Sequence, residues 1–136
     1  MTSALLALHR ATHVTLHMLA TELVDLDLTA SEINVLAILA DGHARTVSEL
    51  GTAAGTRPST LTSVLDRLHR RGHITRGPRP GDRRVVVVEL TGSGRRAADT
   101  IRRTVAAVEA RALAGMPAEA LAGFHTVLRA FATVSP

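Results

Sequence analysis

The fold of this chain is decided by one stretch of its sequence, RPSTLTSVLDRLHRRG at residues 57–72. Its large apolar residues recur at intervals of three and four, which is typical of a helix with one buried face; they are Leu61, Val64, Leu65 and Leu68. Pro58 suits the first turn of a helix, and Gly72 suits its left-handed exit. The stretch therefore predicts a helix whose other faces carry hydroxyl groups and arginines, namely Ser59, Thr60, Thr62, Ser63, Arg67 and Arg70.

The residues that follow this helix predict a β-hairpin. We expect a short strand at residues 74–76 and a second strand at residues 85–90, which include four consecutive valines. Residues 77–84 contain two glycines and two prolines, so we expect them to form a loop. The basic residues of that loop are Arg79, Arg83 and Arg84.

Three further helices are predicted before residue 57. The first covers residues 4–26, where leucines fall in one stripe at the helical period. The second and third each begin with a capping box, a threonine followed three residues later by a glutamate; the pairs are Thr29 with Glu32 and Thr46 with Glu49. The second helix ends at Asp41-Gly42. The third is short, ends at Gly55, and is expected to point Leu50, Ala53 and Ala54 inward.

Two helices are predicted after the hairpin. Thr91 caps a long helix that runs to about residue 114, and residues 115–117 break it. The last helix has a heptad-like seam suited to a partner helix, formed by Leu121, Phe124, Leu128 and Phe131. The predicted fold is mainly α with a small β-hairpin wing: a winged helix-turn-helix lobe between N- and C-terminal dimerisation helices.

The basic charge of the chain is concentrated in its centre. All sixteen basic residues are arginine, and the net charge is +4. The segment from Arg57 to Arg103 has twelve arginines and four acidic residues, a net charge of +8, whereas the rest of the chain has four arginines and eight acidic residues, a net charge of −4. This distribution favours a polyanionic partner. A solvated basic surface without a partner is the alternative.

The composition excludes several classes of function. Without cysteine, the chain has no disulfide, thiolate metal site or thiol nucleophile. Its only aromatic residues are two phenylalanines, which argues against a base-stacking platform for single-stranded nucleic acid. No enzyme motif occurs, so we expect neither catalysis nor a cofactor. No apolar run approaches the roughly 18–20 residues that span a bilayer, and no signal peptide is evident, so we expect a cytoplasmic protein and no membrane partner.

The order of the predicted elements is that of a winged helix-turn-helix, which indicates binding to double-stranded DNA. The major groove of B-DNA is about 12 Å wide and admits one helix. Small hydroxyl side chains at the start of the helix at 57–71 let the backbone approach phosphates and base edges, and the helix dipole adds attraction for phosphate. An arginine on a narrow hairpin suits the negative potential of a minor groove.

Several motifs between residues 46 and 95 occur together, and they are LTSVLDRL at 61–68, RGHITR at 71–76, GDRR at 81–84 and LTGSGR at 90–95. This combination resembles the MarR family of bacterial winged helix-turn-helix transcription regulators, and the flanking helices agree with that family in number and order. The resemblance implies one MarR-type domain over residues 1–136. Its winged lobe would cover residues 29–90, and its dimerisation helices residues 1–26 and 91–136.

The resemblance also implies a function. Members of the family act as homodimers on palindromic operators, and many are repressors released by small phenolic or lipophilic effectors bound between the dimer helices and the winged lobe. By similarity, the helix at 57–71 reads the major groove, Arg83 or Arg84 enters the minor groove, and Asp82 orients an arginine. Members often carry arginine where this chain has Ser63, so Arg57 or Arg67 is the candidate for that contact. The candidate DNA-binding residues are Arg57, Ser59, Thr60, Thr62, Ser63, Arg67, Arg76, Arg79, Asp82, Arg83 and Arg84.

Three histidines of the first helix have three possible interpretations. His9, His13 and His17 recur every four residues, which is a spacing that metal ligands use. They can form the polar rim of a dimer helix, or His13 and His17 can edge a ligand pocket that responds to protonation. A metal site would need another ligand from elsewhere, such as Glu22, Asp25, His43 or His125. The metal interpretation makes a metal-responsive winged-helix repressor one alternative function. A sequence-neutral architectural DNA-binding protein is another alternative, and it does not depend on the histidines.

Overall fold

The helices and the small sheet alternate in the order that the sequence predicts. The computed structural model describes residues 2–135, and its elements are α1 (Ala4–Glu22), α2 (Ala30–Leu39), β1 (Arg45–Thr46), α3 (Val47–Ala54), α4 (Pro58–Arg70), β2 (Ile74–Arg79), β3 (Asp82–Leu90), α5 (Gly92–Ala112) and α6 (Ala118–Ala132). Contacts within the chain form two units, one ending at Val105 and the other beginning at Ala106. The predicted fold class, mainly α with a β-hairpin wing, is confirmed.

Both predicted capping boxes are present. The Thr29 side chain accepts a hydrogen bond from the Glu32 N–H, and the Glu32 carboxylate accepts one from the Thr29 N–H. Thr46 and Glu49 make the same reciprocal pair at the start of α3. Since each pair satisfies N–H groups that would otherwise lack partners, these boxes define where α2 and α3 begin.

The buried core of the first unit is built around α4. Its apolar residues Leu61, Val64, Leu65 and Leu68 are all buried, as predicted. They join residues of α2, α3, the sheet and α5 in one hydrophobic cluster, including Leu36, Leu50, Val88 and Ile101. One inward prediction for α3 was wrong, because Ala53 is exposed while Ala54 is half-buried. A two-turn helix presents one narrow stripe to the core, and Leu50 and Ala54 occupy it at i and i+4.

The wing has a longer hairpin than the sequence predicted. Strands β2 and β3 extend into the predicted loop and leave only Pro80 and Gly81 between them, with Gly81 at φ +88°. The strand order is β1-β3-β2, so β2 lies at an edge of the sheet. An edge strand tolerates proline because its outer N–H groups need no ladder partner. The register shifts after Pro78, and the two-residue strand β1, which pairs with β3, was not predicted.

The first helix is shorter than predicted. It ends at Glu22 instead of residue 26, and a 3-10 helix, Val24–Leu26, follows it. Asp27 then takes a left-handed conformation, with φ 52°, which an aspartate tolerates better than most residues. This turn separates the leucine stripe of α1 from the capped start of α2.

Helices α1 and α6 each contain no buried residue within this chain. Their exposed apolar side chains include Leu5, Leu6, Val14, Phe124 and Val127. None of the helices within residues 2–135 combines the length and hydropathy that a membrane span requires. The apolar faces of α1 and α6 are therefore only partly covered in the single chain, where Leu19, Leu121, Leu128 and Phe131 are half-buried.

Candidate nucleic-acid interface

The exposed side of α4 carries the predicted hydroxyl groups. Ser59, Thr60, Thr62 and Ser63 are all exposed, opposite the buried leucine face. The Thr62 hydroxyl donates to the Pro58 carbonyl across 2.9 Å, and the Ser63 hydroxyl donates to the Ser59 carbonyl across 3.4 Å. Because these two donors are used within the helix, each hydroxyl oxygen presents acceptor sites outward. Arg57, the N-cap residue of α4, is also exposed.

The turn end of the wing carries Arg83 and Arg84, both exposed. The Asp82 carboxylate accepts a hydrogen bond from the Arg84 N–H at 3.1 Å and lies 3.6 Å from the Arg84 Nε. The Arg84 side chain nevertheless remains 94% exposed. Of the two arginines that Asp82 could orient, the structure therefore pairs it with Arg84.

Two other wing arginines connect the hairpin to the helices. Arg76 donates to Asp66 of α4 at 2.7 Å, and Arg79 lies 3.8 Å from the carboxylate of Glu49 in α3. Both were predicted as DNA contacts, and both have acidic partners within the chain. These ion pairs link the middle and the turn end of β2 to the helix-turn-helix, and they hold cationic groups beside its exposed surface.

Arg67 faces the buried carboxylate of Glu32, which the sequence predicts only as part of a capping box. Glu32 is 3% exposed, and its Oε1 lies 3.7 Å from the Nε of Arg67. Arg71 lies 4.0 Å from Oε2 of the same carboxylate and donates to the carbonyls of Leu26 and Asp27. The capping box was the only sequence signal at Glu32, because its arginine partners are distant along the chain.

The base of the wing packs closely against the start of α5. A Cβ atom on Gly94 would lie 1.9 Å from the His73 carbonyl oxygen, so only glycine fits there. His73 Nδ1 lies 3.0 Å from the Ser93 hydroxyl. Burial lowers the pKa of His73, the nearby charge of Arg71 lowers it further, and Glu32 opposes the shift. These surroundings therefore favour the neutral form of the histidine that precedes the wing.

A cavity of about 390 Å³ lies between α2 and α5 within the first unit. It is lined by Ala37, Ile38, Ala40, Asp41, Arg102 and Val105. His9, His13 and His17 lie instead on the exposed surface of α1. Within residues 2–135, no three histidine or carboxylate side chains are grouped closely enough to hold a metal ion.

An exposed helix beside an arginine-bearing hairpin defines a winged helix-turn-helix protein. Residues 28–86 match the model of the MarR family. Over these residues, which make up most of the winged lobe, the chain is similar to this family, and the relatives that it matches are transcriptional regulators and not enzymes, as the sequence predicts. The HTH-type transcriptional repressor NicR of Pseudomonas putida is 37% identical over 70 residues, which cover 52% of this chain and 44% of NicR. The chain spans about half the length of the curated relatives it matches.

Solved structures match over nearly the whole chain. CouR from Rhodococcus jostii, bound to p-coumaroyl-CoA, has a TM-score of 0.84 and 26% identity, covering 96% of this chain and 92% of CouR. A mutant MarR from Escherichia coli, complexed with operator DNA, has a TM-score of 0.76 and 26% identity, covering 92% of this chain and 90% of that MarR chain. The similarity therefore includes α1, α5 and α6 as well as the winged lobe.

Proposed function

We propose that this chain is a sequence-specific regulator of transcription that binds double-stranded DNA. This proposal rests on the exposure of both the hydroxyl face of α4 and the wing arginines Arg83 and Arg84. In our proposal α4 enters the major groove, where Ser59, Thr60, Thr62 and Ser63 meet phosphates and base edges. The wing arginines then meet the minor groove or its phosphates. The operator complex of the similar E. coli MarR supports this assignment.

We propose that the working form is a homodimer. The exposed apolar side chains of α1 and α6 support this, because a stable dimer buries side chains of that kind. A two-fold dimer presents two copies of α4, so its operator should be palindromic. In this arrangement residues 29–90 form the winged lobe, while residues 1–26 and 91–136 supply the dimerisation helices.

We propose that the output is repression and that a small molecule relieves it. NicR is a repressor by name, and CouR was crystallised with an aromatic acyl thioester, which supports both parts. The α2–α5 cavity offers apolar walls from Ile38 and Val105 and groups of both charges from Asp41 and Arg102, the latter 3.6 Å from Asp99. The apolar walls suit a small lipophilic molecule. The DNA partner implies that the protein acts in the bacterial cytoplasm.

The test is selection from a random duplex library by the full chain, followed by footprinting on the enriched duplex. We expect an inverted repeat whose half-sites are centred about one helical turn apart, roughly 10–11 base pairs. Enrichment of a single asymmetric half-site would contradict the dimer geometry. Equal binding to the enriched duplex and to its scrambled version would instead establish an architectural protein that ignores sequence.

A further inference from the structure

Glu32 is a buried carboxylate with contacts to two helices. It is 3% exposed, and its Oε1 accepts the Thr29 N–H at 3.1 Å, which caps α2. The same oxygen lies 3.7 Å from Arg67 of the DNA-facing helix α4, and the other oxygen lies 4.0 Å from Arg71. One side chain therefore caps the start of α2 and also supplies the negative charge that faces Arg67 of α4 and Arg71, the residue after α4.

The capping hydrogen bond uses only one of the two oxygens of the Glu32 carboxylate. Glu32 Oε2 and Arg67 Nε are both shielded from solvent, and neither has a hydrogen-bond partner. An isolated buried charge is costly, and removing one member of a buried pair leaves the other uncompensated. Electrostatic attraction therefore keeps the inner edge of the Arg67 guanidinium against Glu32 and limits the orientations that Arg67 can adopt.

The outer part of Arg67 remains accessible. Its side chain is 41% exposed although Nε is buried, so the exposure belongs to the other atoms of the side chain. Arg67 follows Ser59 and Ser63 at intervals of four, which puts it one turn beyond Ser63 on the hydroxyl side of α4. Arginine reads guanine in the major groove through two hydrogen bonds, and that geometry requires a fixed guanidinium plane.

We propose that Glu32 is a positioning residue for DNA recognition: it holds Arg67 so that its outer nitrogens meet a base edge in the major groove. This inference rests on the proposed DNA-binding function. Arg71 has a different role, because it donates to the carbonyls of Leu26 and Asp27 and so fastens α4 to the turn before α2.

The test is a double-mutant cycle with Glu32→Gln, Arg67→Gln and the double variant. Glutamine retains the capping box, since its side-chain oxygen still accepts the Thr29 N–H, while the charge is lost. For each protein, Kd is measured on the duplex that the wild type enriches from a random library and on its scrambled version, at several salt concentrations. The melting temperature of each variant records any loss of fold.

Each single variant should lower the ratio of scrambled Kd to selected Kd by about tenfold. The double variant should fall no further than Arg67→Gln alone, and the salt slope of Glu32→Gln should match the wild type. An unchanged ratio in Glu32→Gln would overturn the inference, as would a loss that adds in full to that of Arg67→Gln. If the wild type enriched no duplex and bound none, the proposed function itself would fail.

Arg71→Gln is the matched control, because Arg71 is also near Glu32 but is anchored to backbone carbonyls. We expect Arg71→Gln to have a lower melting temperature than the wild type. We also expect Glu32→Gln to reduce the ratio of scrambled Kd to selected Kd as strongly in the Arg71→Gln protein as in the wild type. Loss of that effect in the Arg71→Gln background would assign the positioning role to Arg71 instead and overturn the inference for Arg67.

Discussion

Arg76 of the wing donates to Asp66 of α4 at 2.7 Å, and this pair connects the hairpin to the proposed recognition helix. The Arg76 side chain is 30% exposed and that of Asp66 is 49% exposed. A pair this accessible to water contributes about 0–1 kcal/mol to stability, so its larger effect should be on DNA binding. It holds a cation and a carboxylate together beside a surface that would meet phosphate.

We therefore expect Asp66→Asn to tighten binding to all duplexes, because one negative charge leaves the interface and Arg76 becomes available to phosphate. Unfolding free energy should fall by no more than about 1 kcal/mol. Kd values on selected and scrambled duplexes at low salt, together with a urea titration, provide the measurement. Equal or weaker binding to both duplexes would contradict the proposed position of this pair.

A second prediction concerns the contact between Gly94 and the His73 carbonyl. Gly94→Ala would force a Cβ atom to within 1.9 Å of that oxygen, and a backbone atom cannot move aside as a flexible side chain can. We expect the unfolding free energy to fall by about 3 kcal/mol or more. The control is Gly123→Ala in α6, where nothing beyond the neighbouring residues and the backbone of its own helix lies within 4 Å of the added methyl group, so alanine should be neutral or stabilising. Equal stability of the two variants would contradict the packing of α5 against the wing.

A third prediction follows from the lowered pKa of His73. At pH values above 6.5, the ordinary pKa of histidine, His73 is neutral in both the folded and the unfolded chain. Its contribution to the free energy of unfolding is then fully present. As pH falls below 6.5, the unfolded chain binds a proton first, so stability is lost until the folded pKa is passed. His73→Gln should reduce the slope of unfolding free energy between about pH 7 and pH 5. An equal slope in the wild type and in His73→Gln, measured by urea titration at each pH, would contradict this prediction.

The sequence predicts the parts of this fold that depend on neighbours along the chain. The capping boxes at Thr29 and Thr46 involve residues three apart, and the buried stripe of α4 follows from helical spacing, so both could be identified directly. The length of the wing could not, because Pro78 is acceptable in β2 only if β2 lies at the edge of the sheet. Strand order is a tertiary property, and no local pattern reports it.

The candidate site likewise has features that the sequence predicts and features that depend on the folded chain. The exposed hydroxyl groups of α4 follow from its periodicity, and the arginines of the wing follow from the hairpin. The partnership of Glu32 with Arg67 could not be predicted, because α2 and α4 meet only in the folded chain. The acidic partners of Arg76 and Arg79 were missed for the same reason.

A fourth prediction tests the exposed apolar side chains of α6. Phe124 is 53% exposed within the single chain. Phe124→Asp should put a charge into the dimer interface and convert the protein to a monomer at micromolar concentration, as measured by light scattering. Thr126→Asp is the control, because Thr126 lies on the other side of α6 by helical periodicity. A monomeric wild type, or a Phe124→Asp protein that remains dimeric, would contradict the proposed interface.

The salt dependence of DNA binding by Arg83→Ala shows whether the wing contacts DNA, since Arg83 is exposed at the turn end of the wing. We expect this variant to bind selected and scrambled duplexes more weakly alike. If the side chain contacts one phosphate, the slope of log K against log salt should decrease by about one unit. Arg129→Ala, on α6, should leave affinity and slope unchanged. Unchanged affinity and slope in Arg83→Ala would contradict the claim that the wing binds DNA and would leave the hairpin with a role only in the fold or the dimer.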